Sequence, residues 1–139
     1  MTAQPLLLDT CALIWVVASM PLASQAVETL TTANDAGAIT YISPVSAWEI
    51  GLLVAHGKLK FLITPQRWFQ TALATHNVRL ASASPELLIE SSFLPGKPPR
   101  DPADRIIVAT ARDLGCKLLT RDRKLLDYGS QGYISVLEC

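Results

Sequence analysis

Apolar residues along the chain form short, dense runs that alternate with longer segments in which they recur every three or four positions. The short runs predict β-strands, and the longer segments predict α-helices. The first run, Pro5–Asp9, is apolar up to its terminal acid, which is typical of a strand buried on both faces of a parallel sheet. The predicted strands are Pro5–Asp9, Ala38–Ser43, Val78–Ser82, Cys116–Thr120 and Tyr133–Leu137.

Helices are predicted in the intervals between these strands, often with Ser, Thr or Asp at the start or Gly at the end. The predicted helices are Thr10–Ser19, 24–36, Pro44–Gly57, Pro65–Asn77, Pro85–Leu94, Pro102–Gly115 and a short one within Arg121–Gly129. This alternation predicts an α/β fold with a mostly parallel central sheet covered by helices on both faces. The length of 139 residues, without a repeat or a linker, predicts one domain over residues 1–139.

The composition supports a folded core and excludes two broad classes of protein. Hydrophobic residues make up 50% of the chain and charged residues only 17%, so the chain is not disordered. The longest apolar run, near residues 11–23, is interrupted by Ser19 and Pro21 and is too short for a membrane span. Three cysteines without metal-binding spacing, and an N-terminus without a basic signal-peptide region, predict a cytoplasmic protein.

Charge is distributed unevenly, although the formal net charge is zero. Residues 1–57 hold four of the twelve acids and no Lys or Arg, so residues 58–139 hold eight acids and all twelve basic residues. Many of the basic residues lie within 97–124. They form either an ordinary solvated surface or a phosphate-binding rim around an acidic centre, and the composition leaves both interpretations open.

Five acids are predicted to lie at one edge of the sheet, because open parallel sheets bind ligands at the carboxyl ends of their strands. Asp9 ends the first strand, Glu49 lies in the second turn of the helix after the second strand, and Asp122 follows the fourth strand. Asp101 and Asp104 begin the helix before that fourth strand. Each acid taken alone also fits an ordinary role such as a helix cap.

Taken together, several carboxylates at one edge would repel one another unless a cation neutralised them. Oxygen ligands without a Cys or His pattern favour Mg²⁺ or Mn²⁺ over Zn²⁺. Such ions, held by a few carboxylates, support phosphoryl chemistry. The acids therefore predict a metal-dependent site that acts on a phosphate ester.

Four segments carry these acids, namely LLLDTCALIW, SPVSAWEIG, DPADRIIVATA and LLTRD. In this order and spacing they resemble the PIN-domain family, and most closely its VapC-type toxins of bacterial toxin–antitoxin pairs. The resemblance implies an α/β/α sandwich and a Mg²⁺- or Mn²⁺-dependent endoribonuclease. It places the catalytic and metal-binding acids at Asp9, Glu49, Asp104 and Asp122. It also implies supporting roles for Asp101, Thr10, Ser46 and Thr120.

The mechanism implied by the resemblance is hydrolysis of an RNA phosphodiester to a 3′-hydroxyl and a 5′-phosphate. In this hypothesis Asp9, Asp104 and Asp122 hold a metal ion, and Glu49 binds a second ion or orients the attacking water. The candidate contacts to RNA phosphates are Arg105, Arg121 and Arg123. The resemblance also implies a cognate antitoxin. The apolar first helices, near residues 11–60, fit either plain core packing or the interface of a homodimer or toxin–antitoxin hetero-oligomer, and no membrane association is expected.

Two other functions remain open from the sequence. One is another Mg²⁺-dependent phosphoryl-transfer enzyme, such as a phosphatase, although the DTC that follows the first strand lacks the paired Asp-x-Asp nucleophile of such enzymes. The other is a non-catalytic binding module of PIN-like fold. The presence of all four expected acids argues against that function. Single Asp→Asn substitutions distinguish these functions, because only a nuclease has RNA cleavage to lose.

Overall fold

The computed structural model describes residues 3–139, which form a five-stranded sheet with helices between the strands. The strands are β1 (Leu6–Leu8), β2 (Thr40–Ile42), β3 (Val78–Leu80), β4 (Lys117–Thr120) and β5 (Ser135–Glu138). The helices are α1 (Thr10–Val17), α2 (Ser24–Asp35), α3 (Pro44–Ala55), α4 (Pro65–Leu73), α5 (Pro85–Glu90), α6 (Pro102–Leu114) and α7 (Arg123–Ser130). The predicted strands and helices are confirmed in their order, with ends that differ by a few residues.

The sheet is parallel throughout, with the strand order β3-β2-β1-β4-β5. β1 therefore lies at the centre, where Leu7 is paired with Tyr41 of β2 on one side and with Leu118 of β4 on the other. All three residues of β1 are buried, which is what its uninterrupted apolar sequence predicts for a central strand. The predicted α/β fold with a mostly parallel sheet is confirmed.

Helices cover both faces of the sheet, because successive residues of a strand point to opposite sides. Leu6 and Leu8 pack in one apolar cluster together with residues of α1, α2 and α4. Leu7 and Leu118 pack in a second cluster together with residues of α6 and α7. The third helix, α3, contributes to both clusters through Ile50 and Val45 respectively. This three-layer arrangement is the predicted α/β/α sandwich.

Three of the helices begin at an acid on the carboxyl side of the sheet. Asp9, Asp101 and Asp122 are the N-caps of α1, α6 and α7, and each carboxylate accepts a hydrogen bond from a backbone N–H of the first turn. The capping role predicted for these acids is therefore confirmed. None of the described helices is long and apolar enough to cross a lipid bilayer.

Candidate functional site

A cavity of about 330 Å³ at the carboxyl edge of the sheet contains the four principal acids predicted from the sequence. Asp9 enters it from the end of β1, Glu49 from α3, Asp104 from α6 and Asp122 from the turn after β4. A second cavity, of about 390 Å³, lies at the opposite edge near Leu6 and Lys117, and it is lined by none of the predicted site residues. The four principal acids therefore meet at the carboxyl edge of the sheet, as the strand directions require.

Asp9 is the most deeply placed of these acids, with only 6% of its surface exposed. Its Oδ1 accepts a hydrogen bond of 2.7 Å from the backbone N–H of Ala12, and its Oδ2 accepts one from the hydroxyl of Thr120. Burial raises the pKa of the Asp9 carboxyl, while these two hydrogen bonds act in the opposite direction. The hydroxyl of Thr120 in turn accepts a bond of 3.0 Å from the backbone N–H of Asp122. This chain of hydrogen bonds joins the ends of β1 and β4.

Glu49 is held by a second chain of hydroxyl groups. Thr10 donates to Oε1 of Glu49 over 2.6 Å, and the hydroxyl oxygens of Thr10 and Ser46 lie 2.9 Å apart. Because Thr10 has a single hydroxyl hydrogen and gives it to Glu49, Ser46 is the donor in its contact with Thr10. Burial raises the pKa of Glu49, and the hydrogen bond from Thr10 opposes that effect. Thr10 and Ser46 therefore orient Glu49, with Ser46 fully buried behind the cavity.

Asp104 carries the largest resolved change among the acids of the site. Burial, followed by the negative charges of Asp101, Asp122, Glu49 and Asp9, raises its pKa from 3.8 to about 7. The residue lies in the first turn of α6, and its backbone N–H donates to Oδ2 of Asp101 over 2.9 Å. The structure thus places a carboxyl group that is half protonated near neutral pH among four other acids.

Asp101 and the three candidate arginines occupy different places around the cavity. Asp101 is exposed and does not line the cavity, but its charge acts on both Asp104 and Glu49. Arg121 lines the cavity, and its guanidinium lies 3.7 Å above the ring of Trp15. Arg105 donates to the carbonyl of Ser91 over 3.3 Å, and Arg123 is exposed at the start of α7. Contacts of these arginines with RNA phosphates stay predictions.

The cavity also has three lining residues that the sequence did not single out, namely Cys11, Trp15 and Ile107. Cys11 and Trp15 are four residues apart on α1, and Ile107 follows Asp104 by three residues on α6. Helical spacing from Asp104 could have identified Ile107, because residues three or four apart share a helix face, and the same spacing puts Cys11 and Trp15 on one face of α1. They give the acidic cavity a partly apolar wall.

The side chains of this cavity match the ligand preferences of a hard divalent cation. The donors are carboxylate and hydroxyl oxygens, and the mutual repulsion that raises the pKa of Asp104 is relieved by added positive charge. Within residues 3–139, no three His, Cys, Asp or Glu side chains lie close enough to hold an ion as they stand. Both oxygens of Asp9 and one of Glu49 accept one hydrogen bond each, which leaves each of these oxygens a second lone pair.

The chain is similar to a known protein family and to a characterised relative. The model of the PIN domain matches residues 6–130. Ribonuclease VapC22 of Mycobacterium tuberculosis is 36% identical over 84 residues, which is 60% of this chain and 63% of the relative. The match thus spans less than two thirds of the relative's length.

Solved structures of the same fold cover nearly the entire chain. VapBC2 from Rickettsia felis, bound to a promoter DNA fragment, has a TM-score of 0.65 at 12% identity, covering 97% of this chain and 98% of its own. FitAcB from Neisseria gonorrhoeae has a TM-score of 0.54 at 17% identity, covering 95% and 96% respectively. At these identities the likeness concerns the fold.

Proposed function

The chain belongs to the PIN-domain family, and on that premise we propose that it is a metal-dependent endoribonuclease that acts as the toxin of a toxin–antitoxin pair. The proposal is supported by the relative named Ribonuclease VapC22 and by the four acids at the carboxyl edge of the sheet. The observation that carries it is the convergence of Asp9, Glu49, Asp104 and Asp122, from four separate segments, on one cavity. A purely structural set of helix caps would not need Glu49 or Asp104 in that cavity.

The proposed cofactor is Mg²⁺ or Mn²⁺, held by Asp9, Asp104 and Asp122 with Glu49 nearby. When bound there, such an ion would stabilise the negative charge that develops on the phosphodiester and activate water for attack. The oxygen donors support a hard cation, and divalent metals are typical of the family. The chemistry of the donors does not distinguish Mg²⁺ from Mn²⁺.

The residues of the chain have separable roles in this proposal. Thr120 keeps the carboxylate of Asp9 in one orientation, and Thr10 does the same for Glu49. Glu49 orients the attacking water and takes one of its protons. The water oxygen forms a new bond to phosphorus, the bond from phosphorus to O3′ breaks, and the proton passes to the leaving O3′. The products are a 3′-hydroxyl and a 5′-phosphate.

The proposed surroundings of the enzyme follow from its resemblance to VapC-type toxins. Its partners are an RNA substrate and a cognate antitoxin protein, and it assembles as a homodimer or as a toxin–antitoxin hetero-oligomer. It acts in the cytoplasm, and residues 1–139 form one PIN-like domain. A phosphatase is less well supported, because Cys11 stands where the second acid of an Asp-x-Asp nucleophile pair would be.

The deciding experiment is cleavage of a mixed pool of structured RNAs by the purified, antitoxin-free protein. It is run with Mg²⁺, with Mn²⁺ and with EDTA, beside Asp9→Asn, Asp104→Asn and the control Asp113→Asn. Asp113 is an exposed acid at the far end of α6 and does not line the cavity. We expect metal-dependent cleavage in the unsubstituted protein and the control, and its loss in the other two variants.

Folded protein that cleaves no RNA with either metal would contradict the nuclease. Retained RNA binding under those conditions would then identify a binding module of PIN-like fold. Cleavage that survives both Asp9→Asn and Asp104→Asn would place the active site elsewhere. Sequencing of the fragment ends identifies the RNA that is cut.

A further inference from the structure

A basic groove of about 460 Å³ lies between the loop before α6 and helix α7. Lys97, Arg100 and Lys124 define this basic groove, and Asp127 is the acid among its lining residues. Its three cations outnumber that acid, whereas the carboxylate site is lined by four acids and Arg121. Charges of opposite sign are thus separated into two cavities.

The basic groove and the site are linked along the chain at the starts of two helices. Arg100 directly precedes Asp101, the cap of the helix that carries Asp104. Lys124 lies in the first turn of α7, and its backbone N–H donates over 2.8 Å to Oδ1 of Asp122. One wall of the groove is therefore one or two residues along the chain from acids of the site.

The cations of the groove lie beside the N-terminal ends of α6 and α7. The N-terminal end of a helix carries partial positive charge from its free N–H groups, so acids rather than bases stabilise it. The first turn of α7 contains Arg123 and Lys124 but no acid, and Arg100 stands just before α6. Asp101 and Asp122 cap these two ends, so a phosphate bound in the groove would be held by its side-chain cations rather than by free N–H groups of the helices.

The loop that forms the other wall is fixed in place before any ligand binds. The hydroxyl of Tyr128 donates to the carbonyl of Pro95 over 2.7 Å. The side-chain amide of Gln131 accepts from the backbone N–H of Lys97 over 3.2 Å and donates to its carbonyl over 3.4 Å. Gly96 has a φ of +68°, and a Cβ there would lie 2.3 Å from the ring of Tyr133, so only glycine fits.

The charged ends of the groove lysines are available to a ligand. Lys97 and Lys124 contribute only backbone atoms to the hydrogen bonds found within residues 3–139. Other basic residues nearby are engaged by the protein, because their guanidinium groups donate to backbone carbonyls. These engaged residues are Arg105, Arg112 and Arg121.

We propose that the basic groove binds backbone phosphates of the RNA strand that enters the carboxylate site, with Lys97, Arg100 and Lys124 as the contacts. This inference rests on the proposed nuclease function and names how its substrate is held. The carboxylates of the site repel a polyanion, so a flanking cationic surface is needed to bring the strand close. Phosphate contacts of this kind position the RNA without reading its sequence.

The test measures RNA binding by a combined Lys97→Gln, Arg100→Gln, Lys124→Gln variant. The matched control is Lys58→Gln, Lys60→Gln, Arg79→Gln, which also removes two Lys and one Arg from exposed positions but outside both cavities. Both are made in the full chain carrying Asp104→Asn, and anisotropy of labelled single-stranded RNAs of different sequence is followed over a series of KCl concentrations. Circular dichroism verifies that each variant is folded.

We expect the groove variant to lower the slope of log affinity against log salt by about 2, because each phosphate contact to a single strand contributes about 0.7. The loss of affinity should be similar for all RNA sequences, and the control should keep the slope of the parent protein. An unchanged slope in the groove variant, or an equal loss in the control, overturns the proposal. A groove that serves an acidic protein partner instead would also leave the RNA slope unchanged.

The outcome is separable from that of the proposed function. If the unsubstituted protein cleaves RNA and the groove variant keeps its salt slope, the nuclease stands and the groove proposal fails. If the unsubstituted protein binds RNA through the groove but cleaves none, the groove stands and the nuclease fails.

Discussion

The hydroxyl of Thr120 donates a hydrogen bond to the carboxylate of Asp9, although 111 residues separate them in the chain. The same hydroxyl accepts the backbone N–H of Asp122, so one threonine connects two acids of the site. Thr120 is fully buried, and no solvent molecule can easily replace its hydroxyl. Its hydroxyl therefore holds the Asp9 carboxylate in one orientation, and in the proposed function this orientation serves the binding of a cation.

Thr120→Val keeps the shape of this side chain and removes both hydrogen bonds. We expect RNA cleavage to fall by about 10- to 100-fold, which is the usual effect of losing a partner that orients a metal ligand. The pKa of Asp9 should rise further, because the bond from Thr120 opposes the effect of burial. Thr120→Ser, which retains the hydroxyl, should restore most of the activity. Equal activity in the Val and Ser variants would show that the hydroxyl is dispensable.

The stability of the metal-free protein should decrease as the pH rises. The pKa of Asp104 is about 7 in the folded state and near 3.8 without its surroundings, so the folded state binds a proton more tightly. The contribution of the Asp104 proton to the free energy of unfolding is complete below pH 3.8 and is lost as the pH rises through about 7. Asp9 and Glu49 act with the same sign, because their pKa values are also raised.

Thermal unfolding in EDTA at a series of pH values measures this dependence. Asp104→Asn should make the decrease of Tm with rising pH smaller, because an amide does not titrate. Addition of Mg²⁺ or Mn²⁺ above neutral pH should raise the Tm of the unsubstituted protein more than that of Asp104→Asn. A Tm that increases between pH 4 and 7 in EDTA would contradict the raised pKa of Asp104.

Two substitutions separate the cap of Asp101 from its charge. Asp101→Asn keeps a side-chain oxygen for the N–H of Asp104, so the free energy of unfolding should change by less than about 0.5 kcal/mol. Asp101→Ala removes the cap and should cost about 1 kcal/mol. Both variants should lower the pKa of Asp104, because the charge of Asp101 is, after burial, the next cause of its elevation. Equal stability of the two variants would rule out a capping contribution.

Arg121 is expected to stabilise the fold independently of any contact with RNA. Its guanidinium donates to the carbonyls of Pro21 and Cys139 over 3.0 and 2.9 Å and stacks on Trp15. Arg121→Gln should therefore lower the free energy of unfolding by about 1–3 kcal/mol. Arg123→Gln, at a nearby exposed cation, is the control and should change it by less than about 0.5 kcal/mol. Urea unfolding of both variants measures the difference.

The fold was predictable from the sequence where one local signal was sufficient. The apolar run Leu6–Leu8 indicates a buried central strand, and Asp101 before Pro102 marks the start of α6. Asp9 and Asp122 were predictable for the same reason, since a cap after a strand lies at the carboxyl edge of the sheet. Glu49 and Asp104 cap no helix, and their prediction rested on their places near the starts of α3 and α6. The two interpretations of an acid, as a helix cap and as a site residue, are compatible at Asp9 and Asp122. Both residues cap helices and also line the cavity.

Features that depend on which elements are neighbours were not predictable from one sequence. The bond between Thr120 and Asp9 requires β4 to lie beside β1, a pairing that no local pattern specifies. The sequence shows that basic residues are concentrated near 97–124. It does not show that Lys97 and Lys124 line one groove, or that the guanidinium of Arg121 is hydrogen-bonded to backbone carbonyls. The packing of the strands and helices against one another decides which of these side chains meet.

The parallel pairing of β1 with β4 has a consequence for a chain that is still being synthesised. A nascent chain that has reached Gly115 already contains Asp9, Glu49 and Asp104, yet it lacks the strand that completes the central pair and the threonine that orients Asp9. Contacts so distant in sequence form late, because a long loop must close before they are made. The site proposed for RNA cleavage would thus be incomplete until nearly the entire fold has emerged from the ribosome.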